Sequence, residues 1–256
     1  MPEAFGERDL ALDEAALGEL AALHHVEAVD STQDWALGSL LPMRGASVFV
    51  ADRQSAGRGR RGRAWQTDPK GALAFTVLRR FALPPMRLAP LGPAVGVAVA
   101  RALHDAGASR VRLKWPNDLV VDDAKLAGLL IEARGEAVAI GIGLNLDVAA
   151  VPGVEQPWTD LRRAGVADVS RPRILGAVLR RLLPALAEFE REGFAAFVED
   201  WAHFDALAGR PVRVLSGERV EDGMAIGIDV GGGLRVRHAD GDRVHHAGEV
   251  SVRVAA

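Results

Sequence analysis

Short apolar segments, separated by polar and glycine-containing turns, dominate the first 150 positions of the chain. Four of them are strand-like: ASVFVADRQ (46–54), which is rich in β-branched residues, ALAFTVLRRF (72–81), KLAGLLIEAR (125–134) and AVAIGIGLNLDV (137–148). The segment APLGPAVGVAVARALHDAG (89–107) is apolar nearly all round and closes at Gly107, which predicts a buried helix. Neighbouring strands of this kind predict an α+β fold with a mixed, largely antiparallel sheet and helices on one face.

The N-terminal region combines a helical and a strand-like pattern. The segment DEAALGELAALHH (13–25) predicts a short helix, and VEAVDS (26–31) predicts a strand after it. Ser31 is a good N-cap residue for a second helix in TQDWALGSLL (32–41).

The character of the sequence changes after Val151. Residues 172–204 predict a long helical stretch that is interrupted at Pro184. From Gly209 onward, five short strand-like segments with tight turns predict a small barrel of about 50 residues. We therefore expect two domains, one at residues 1–207 and a smaller one at residues 208–256.

The amino-acid composition indicates a soluble globular protein and excludes cysteine chemistry. The chain is 49% hydrophobic and 25% charged, which is typical of a soluble globular protein. It has no cysteine, which excludes disulfides, thiolate metal sites and a cysteine nucleophile. The N-terminus lacks a signal-peptide pattern and no apolar run approaches the roughly 20 residues of a membrane span, so we expect a cytoplasmic protein without membrane association.

The segment SAGRGRRGRAW (55–65), here called the glycine–arginine loop, has no apolar periodicity and contains four arginines and three glycines. A solvated surface loop, an anion-binding loop and an arginine–glycine RNA-binding segment all fit this pattern. An RNA-binding module predicts a basic protein, whereas this chain has a net charge of −3.

Three further motifs follow in order. KWPND (114–118) joins a cation, an aromatic, a rigid turn residue and a carboxylate, KLAG (125–128) opens an apolar strand, and GIGLNL (141–146) carries glycines that permit close backbone approach. Taken singly, KWPND also fits a plain turn with a core tryptophan, and Lys125 fits a surface lysine at a strand end.

In this order, the Ser31–Thr32 pair, Gln54, the glycine–arginine loop, KWPND, KLAG and GIGLNL closely resemble biotin–protein ligases over essentially the whole chain. The resemblance implies a class II synthetase-like catalytic domain and a small C-terminal SH3-like barrel. It implies that biotin and ATP form biotinyl-5′-adenylate, with Mg²⁺, and that biotin then passes to a lysine of a biotin carboxyl-carrier protein. The alternative is a lipoate–protein ligase, which shares the sheet and the adenylate mechanism.

The resemblance also assigns residues. It places biotin against Ser31, Thr32, Gln54, Arg58, Gly59, Arg60 and Lys125, and it places ATP against Trp65, Lys114, Asn117, Asp118 and Arg253. Lys125, Arg60, Lys114 and Asp118 are the implied catalytic residues, and Asn117 and Asp118 lie where the family orders phosphates and magnesium. The glycine–arginine loop is expected to be a lid, mobile without ligand.

Other expectations concern partners and departures from the pattern. Gln33 stands where the family commonly has asparagine, so Gln33 is not assigned to the site. Only some 30 residues precede Ser31, too few for a helix-turn-helix domain, so we expect no sequence-specific DNA binding. A homodimer formed through the sheet is compatible with the resemblance. The adjacent pairs His24–His25 and His245–His246 suit no common chelate, and we expect them to be structural or surface residues.

Overall fold

A computed structural model describes residue 5 and residues 7–65, 71–149, 156–216, 219–247 and 250–254. A seven-stranded sheet forms the larger unit, in the order β1-β2-β3-β7-β6-β5-β4. Its strands are β1 (Leu20–Val29), β2 (Ala46–Gln54), β3 (Ala72–Arg80), β4 (Arg112–Lys114), β5 (Asp118–Val121), β6 (Ala124–Arg134) and β7 (Ala137–Asn145). β1 pairs in parallel with β2 and all other neighbours are antiparallel, so the predicted mixed, largely antiparallel sheet is confirmed.

Both faces of this sheet carry helices, with the long helices on one face and one short helix on the other. The helices are α1 (Glu7–Leu10), α2 (Glu14–Glu19), α3 (Thr32–Leu37), α4 (Pro85–Leu88), α5 (Leu91–Asp105), α6 (Arg171–Glu192) and α7 (Val198–Phe204). α5 packs against α6 and against β4, β5 and β6, and these elements share the main buried core. The short α3 lies on the opposite face, where Ala36 packs with Phe49, Leu78 and Ala139.

Two predicted boundaries were wrong. The helix predicted at residues 13–25 ends at Glu19, and β1 begins at Leu20. Pairing with β2 from Leu20 to Val29 gives these residues a ladder that local helix propensity cannot match. The second helical region runs through Pro184 without interruption and ends at Glu192, followed by a 3₁₀ turn at Gly193–Phe197. Burial of its apolar face, including Leu182, Leu183 and Leu186, outweighs the hydrogen bond that proline removes.

A second, five-stranded antiparallel sheet, here called the C-terminal sheet, follows. It contains β8 (Pro211–Ser216), β9 (Arg219–Ile228), β10 (Leu234–His238), β11 (Gly241–His245) and β12 (Val250–Val254), in the order β11-β10-β9-β8-β12. The five predicted strands are therefore present. The two sheets are packed together: Trp115 is buried at the end of β4, and its indole Nε1 donates a 2.9 Å hydrogen bond to the carbonyl of Gly232.

Within the part of the chain that the structure describes, one helical stretch, Pro85–Asp105, is long and apolar enough to cross a membrane by length and composition. The expectation that no apolar stretch reaches this length was therefore wrong. Because 67% of its most apolar 18-residue window is buried inside the fold, and α5 packs against α6 and the sheet, it has the character of a core helix.

Candidate active site

One cavity of 1120 Å³ gathers the residues to which the sequence assigned a role. It opens between the glycine–arginine loop, the ends of the larger sheet's strands and the C-terminal sheet. All twelve predicted site residues line it: Ser31, Thr32, Gln54, Arg58, Gly59, Arg60, Trp65, Lys114, Asn117, Asp118, Lys125 and Arg253. The structure thus brings together residues up to 222 positions apart in the sequence, from Ser31 to Arg253.

The inner end of the cavity, here called the polar floor, is formed by Ser31, Thr32, Gln33, Gln54 and Thr76. Ser31 is the N-cap of α3, as predicted, and its hydroxyl accepts from the amide of Asp34. The oxygen Oε1 of Gln54 accepts from the amide of Thr32 at 2.8 Å and from its hydroxyl at 3.1 Å. Thr76 donates to the hydroxyl of Thr32 at 3.0 Å. The floor is therefore a neutral, buried hydrogen-bond network.

Gln33 belongs to this floor although the sequence did not assign it to the site. Its side-chain amide donates to the carbonyl of Ala139 at 3.2 Å, and its Oε1 lies 3.2 Å from the hydroxyl oxygen of Thr76. Gln33 is only 3% exposed, so its longer side chain is accommodated by bonds to β3 and β7. The signal that pointed to it was its place directly after Ser31–Thr32.

The glycine–arginine loop folds back on itself. Arg58 forms an isolated bridge with Ala64, the amide of Gly59 donates to the carbonyl of Arg63 at 2.8 Å, and the amide of Trp65 donates to the carbonyl of Gly57 at 2.8 Å. The loop therefore has an ordered hairpin-like conformation in this structure.

Two arginines tie this loop to the rest of the molecule. Arg58 pairs with Asp34 at the start of α3 and, at 2.6 Å, with Glu132 on β6. Arg60 donates to Oδ1 of Asn117 at 3.0 Å and to the carbonyl of Ala247, beyond β11. Arg60 therefore links the loop to both sheets.

Arg60, Lys114, Lys125 and Arg253 form a positively charged side of the cavity, here called the cationic wall. Burial, the main cause, lowers the pKa of Lys114, the nearby Arg253 lowers it further, and Asp118 partly opposes both. Burial and the adjacent Arg61 likewise lower the pKa of Arg60. A bound anion would relieve this crowding of positive charge, because opposite charge favours the ionised form of both side chains.

Lys125 occupies the centre of the wall. Its Nζ lies 2.7 Å from Oδ1 of Asp118 and 5.7 Å from the centre of the Trp65 ring. Main-chain bonds hold it on both sides, since its amide donates to the carbonyl of Pro157 and its carbonyl accepts from the amide of Thr159. The ammonium group is thus fixed between a carboxylate and an aromatic face.

The indole of Trp65 packs against β7 at Gly143. A Cβ on Gly143 would meet the indole at 2.3 Å, so only glycine allows the ring to approach the strand this closely. Among the described residues, no partner accepts the buried indole Nε1–H of Trp65. The Nε1–H of Trp65 is therefore a buried donor packed against β7.

Sequence reasoning missed part of the lining. Trp158 follows Pro157 beside Lys125 and carries the guanidinium of Arg163 over its ring at 4.8 Å. Arg210 and Asp123 form a two-pronged ion pair at 2.7 and 2.9 Å where the cavity meets the C-terminal sheet. For Trp158, the only sequence signal was the Pro-Trp dipeptide in an otherwise irregular segment. For the Arg210–Asp123 pair, no local sequence pattern gave a signal.

Comparison with known proteins places the chain in a family. Residues 26–148 match the biotin/lipoate A/B protein ligase family, and residues 208–253 match the biotin protein ligase C-terminal domain. The chain is 33% identical to the bifunctional ligase/repressor BirA of Escherichia coli over 234 residues, which cover 89% of this chain and 73% of that protein. It is 34% identical to a biotin--[acetyl-CoA-carboxylase] ligase of Paracoccus denitrificans, covering 86% of this chain and 96% of that one.

A solved structure agrees. Biotin protein ligase from Aquifex aeolicus in complex with biotin and ATP superimposes with a TM-score of 0.81 at 30% identity, covering 92% of this chain and all of that one. The Paracoccus denitrificans and Aquifex aeolicus proteins are named for biotin, which favours biotin over the lipoate alternative. The chain belongs to the biotin protein ligase family.

Proposed function

We propose that this chain condenses biotin with ATP to biotinyl-5′-adenylate and then transfers biotin to a lysine of a biotin carboxyl-carrier protein. The observation that carries the proposal is the single cavity in which a neutral polar floor adjoins a cationic wall. Biotin is itself divided in this way, because it has an uncharged urea group at one end and a carboxylate at the other. The triphosphate of ATP adds further negative charge beside that carboxylate.

The polar floor is matched to the uncharged end of biotin. A urea offers two N–H donors and one carbonyl acceptor, and hydroxyl and amide side chains can both donate and accept. Thr32 and Gln54 are held in place by bonds to each other and to Thr76. A site prearranged in this way loses little side-chain entropy when it binds.

The cationic wall is matched to the reacting groups. In the first step a carboxylate oxygen of biotin attacks the α-phosphorus of ATP, a new O–P bond forms, and pyrophosphate leaves with the electrons of the broken P–O bond. The biotin carboxylate is already ionised at neutral pH, so this step needs no general base. The ammonium of Lys125 and the guanidinium of Arg60 stabilise the charge that the two anions share as they meet.

The second step needs a proton acceptor. The lysine amine of the carrier protein attacks the adenylate carbonyl, an amide forms, and AMP leaves. The amine must lose a proton, and Asp118 is the carboxylate that lies beside Lys125 at 2.7 Å. We assign Asp118 to this role.

The nucleotide side is proposed to comprise Trp65, Lys114, Asn117 and Arg253, with the indole of Trp65 stacking on adenine. The carboxylates of Asp118 and Asp123, both on the cavity lining, are oxygen donors of the kind Mg²⁺ prefers. Bound there with ATP, Mg²⁺ would neutralise phosphate charge. Ser31, Arg58 and Gly59 complete the biotin side.

Several proposals about the whole protein accompany this function. The division at residues 207 and 208 is supported by the C-terminal sheet, which begins at Pro211. We further propose a cytoplasmic enzyme that acts without sequence-specific DNA binding. A homodimer through the sheet would use the exposed edge strand β1.

The decisive experiment is mass spectrometry of a carrier protein incubated with the chain, biotin and MgATP. We expect one biotin per carrier at a single lysine and release of one pyrophosphate and one AMP. Lipoate in place of biotin is the matched control. Modification by lipoate but not by biotin would contradict the proposal.

A further inference from the structure

A cluster of metal-binding side chains lies on the C-terminal sheet, outside the cavity. It consists of Glu221 on β9, His238 on β10 and His245 on β11, and one ligand atom from each lies within 4.8 Å of the others. Three neighbouring strands each contribute one side chain. The pairing of β9, β10 and β11 brings these side chains together, although His238 and His245 are seven residues apart in sequence.

His238 is oriented as a metal ligand. Its Nδ1 lies 2.9 Å from the carbonyl oxygen of Asp222, and because a carbonyl only accepts, Nδ1 carries the proton. The lone pair is then on Nε2, which faces His245. A ring nitrogen that donates to a backbone carbonyl while the other is free is the arrangement that metal-bound histidines adopt.

The neighbouring glycine supports this orientation. A Cβ on Gly223 would lie 3.1 Å from Nδ1 of His238 and 2.5 Å from a methyl carbon of Val236, so a side chain there would displace both. His238 itself is 9% exposed. A buried imidazole with a fixed ring is a prearranged ligand.

The distances fit a tetrahedral ion. The two Nε2 atoms of His238 and His245 are 3.1 Å apart. Zn–N bonds of about 2.0–2.1 Å at a tetrahedral angle put two ligand nitrogens about 3.3 Å apart. Without metal, the same two atoms share a proton from His245, so zinc binding moves that proton to Nδ1 of His245.

A neighbouring arginine determines which oxygen of Glu221 can bind an ion. Oε1 of Glu221 accepts from the guanidinium of Arg243 at 2.6 Å, and Arg243 also pairs with Asp240. This leaves Oε2 of Glu221 as the ligand oxygen.

We propose that Glu221, His238 and His245 form a Zn²⁺ site with water as the fourth ligand. The ion joins β9, β10 and β11, the outer half of the C-terminal sheet. Its effect is structural: an ion that binds the folded chain stabilises it by mass action. This inference does not depend on the proposed ligase activity.

The test uses the full chain, stripped of metal with a chelator and kept in excess Mg²⁺ so that oxygen-rich sites elsewhere are filled. Zn²⁺ titration by calorimetry should give one site per chain, and Zn²⁺ should raise the thermal unfolding midpoint. Co²⁺ in its place should give the visible absorption of a tetrahedral complex. His245→Ala should weaken zinc binding at least about tenfold.

The matched control is His246→Ala, because His246 is the adjacent histidine, is exposed and lies outside the cluster. It should bind zinc as the unmodified chain does. Glu221→Gln, which leaves both imidazoles in place, should weaken binding and change the cobalt spectrum. No zinc binding by the folded unmodified chain, or equal binding by His245→Ala, would overturn the proposal.

Discussion

The polar floor and the cationic wall are two ends of one cavity, yet they are built differently. The floor stands on α3 and on adjacent strands, and its side chains bond mainly to one another. The wall is assembled from the glycine–arginine loop, the end of β4, the start of β6 and the C-terminal sheet, and its four side chains are all positively charged. Burial lowers the pKa of two of them, Arg60 and Lys114.

This difference separates two ways of recognising a ligand. The floor is complete before biotin arrives, so it selects by shape and hydrogen bonding. The wall is electrostatically unfavourable while it is empty, and it is relieved by anions that arrive during the reaction. Substitutions in the floor should therefore act on biotin affinity, and substitutions in the wall should act on rate, on ATP or on retention of the adenylate.

The largest expected effect follows from Lys125→Ala. Removing a fixed ammonium that acts mainly in the transition state costs about 3 kcal/mol, which is roughly a hundredfold in rate. Adenylate formation in single-turnover kinetics should fall by that order, with ATP affinity less affected. Lys114→Ala is the matched control, and it should mainly raise the KM for ATP. Wild-type adenylation by Lys125→Ala, with transfer alone lost, would show that the role is misassigned.

The next effect concerns the link between the loop and the two sheets. Arg60→Gly removes the bonds to Asn117 and to the carbonyl of Ala247, and charge-assisted bonds contribute about 1.5–3 kcal/mol each. Adenylate should then escape about tenfold faster or more and biotinylate lysines of bystander proteins.

Hydrogen exchange across residues 57–64, with and without biotin and a non-hydrolysable nucleotide, measures the same link. Ligand should increase protection in the unmodified chain and less so in Arg60→Gly. Equal protection with and without ligand would end the idea that this segment gates the site.

A smaller effect is expected in the floor. Thr32→Val keeps the shape of the side chain but removes the hydroxyl that bonds Gln54 and Thr76. Loss of a neutral hydrogen bond costs about 1 kcal/mol, so the Kd for biotin should rise about fivefold while the KM for ATP is unchanged. Calorimetry with biotin measures the Kd, and steady-state kinetics measure the KM for ATP. A change in ATP affinity instead would mean that the two ends are not separable.

The smallest effect is a pH dependence of Lys114. Because burial lowers its pKa, the folded chain releases this proton at a lower pH than the unfolded chain does. The KM for ATP should rise a few-fold as the pH increases through the lowered pKa and the charge is lost. Between the lowered pKa of the folded chain and the ordinary lysine pKa, the unfolded chain binds more protons than the folded chain does. The free energy of unfolding should therefore rise with pH over this range.

Lys114→Arg keeps its charge throughout this range and is the control. It should flatten the alkaline rise in KM. If the KM for ATP rose equally with pH in the arginine variant, the rise would have to come from a group other than Lys114.

Sequence reasoning reached the fold class, the family and the biotin ligase activity, and the comparisons confirm these. It succeeded where a local pattern has one structural meaning, as for Ser31 at the start of α3. It failed at Leu20, where pairing with a distant strand decided the conformation. It also paired His245 with its neighbour His246, whereas the hairpin brings His245 to His238.

The same limit applies to the site. The twelve predicted residues were chosen from the family motifs, and all twelve line the one cavity, while their individual roles stay predictions. The Arg210–Asp123 pair joins two units of the fold, and its residues are 87 positions apart, so no local pattern contains it. Partners that meet only after both sheets have packed are visible in the structure alone.

The hydrogen bond from Trp115 to the carbonyl of Gly232 also bears on how the molecule is made. The two residues are 117 positions apart, and the tryptophan leaves the ribosome first. Until the later segment emerges, the larger sheet has an indole N–H without its native partner, and Arg60 lacks the carbonyl of Ala247. The cavity is therefore complete only after the C-terminal sheet has been synthesised, and a nascent chain arrested before residue 232 has an incomplete cavity.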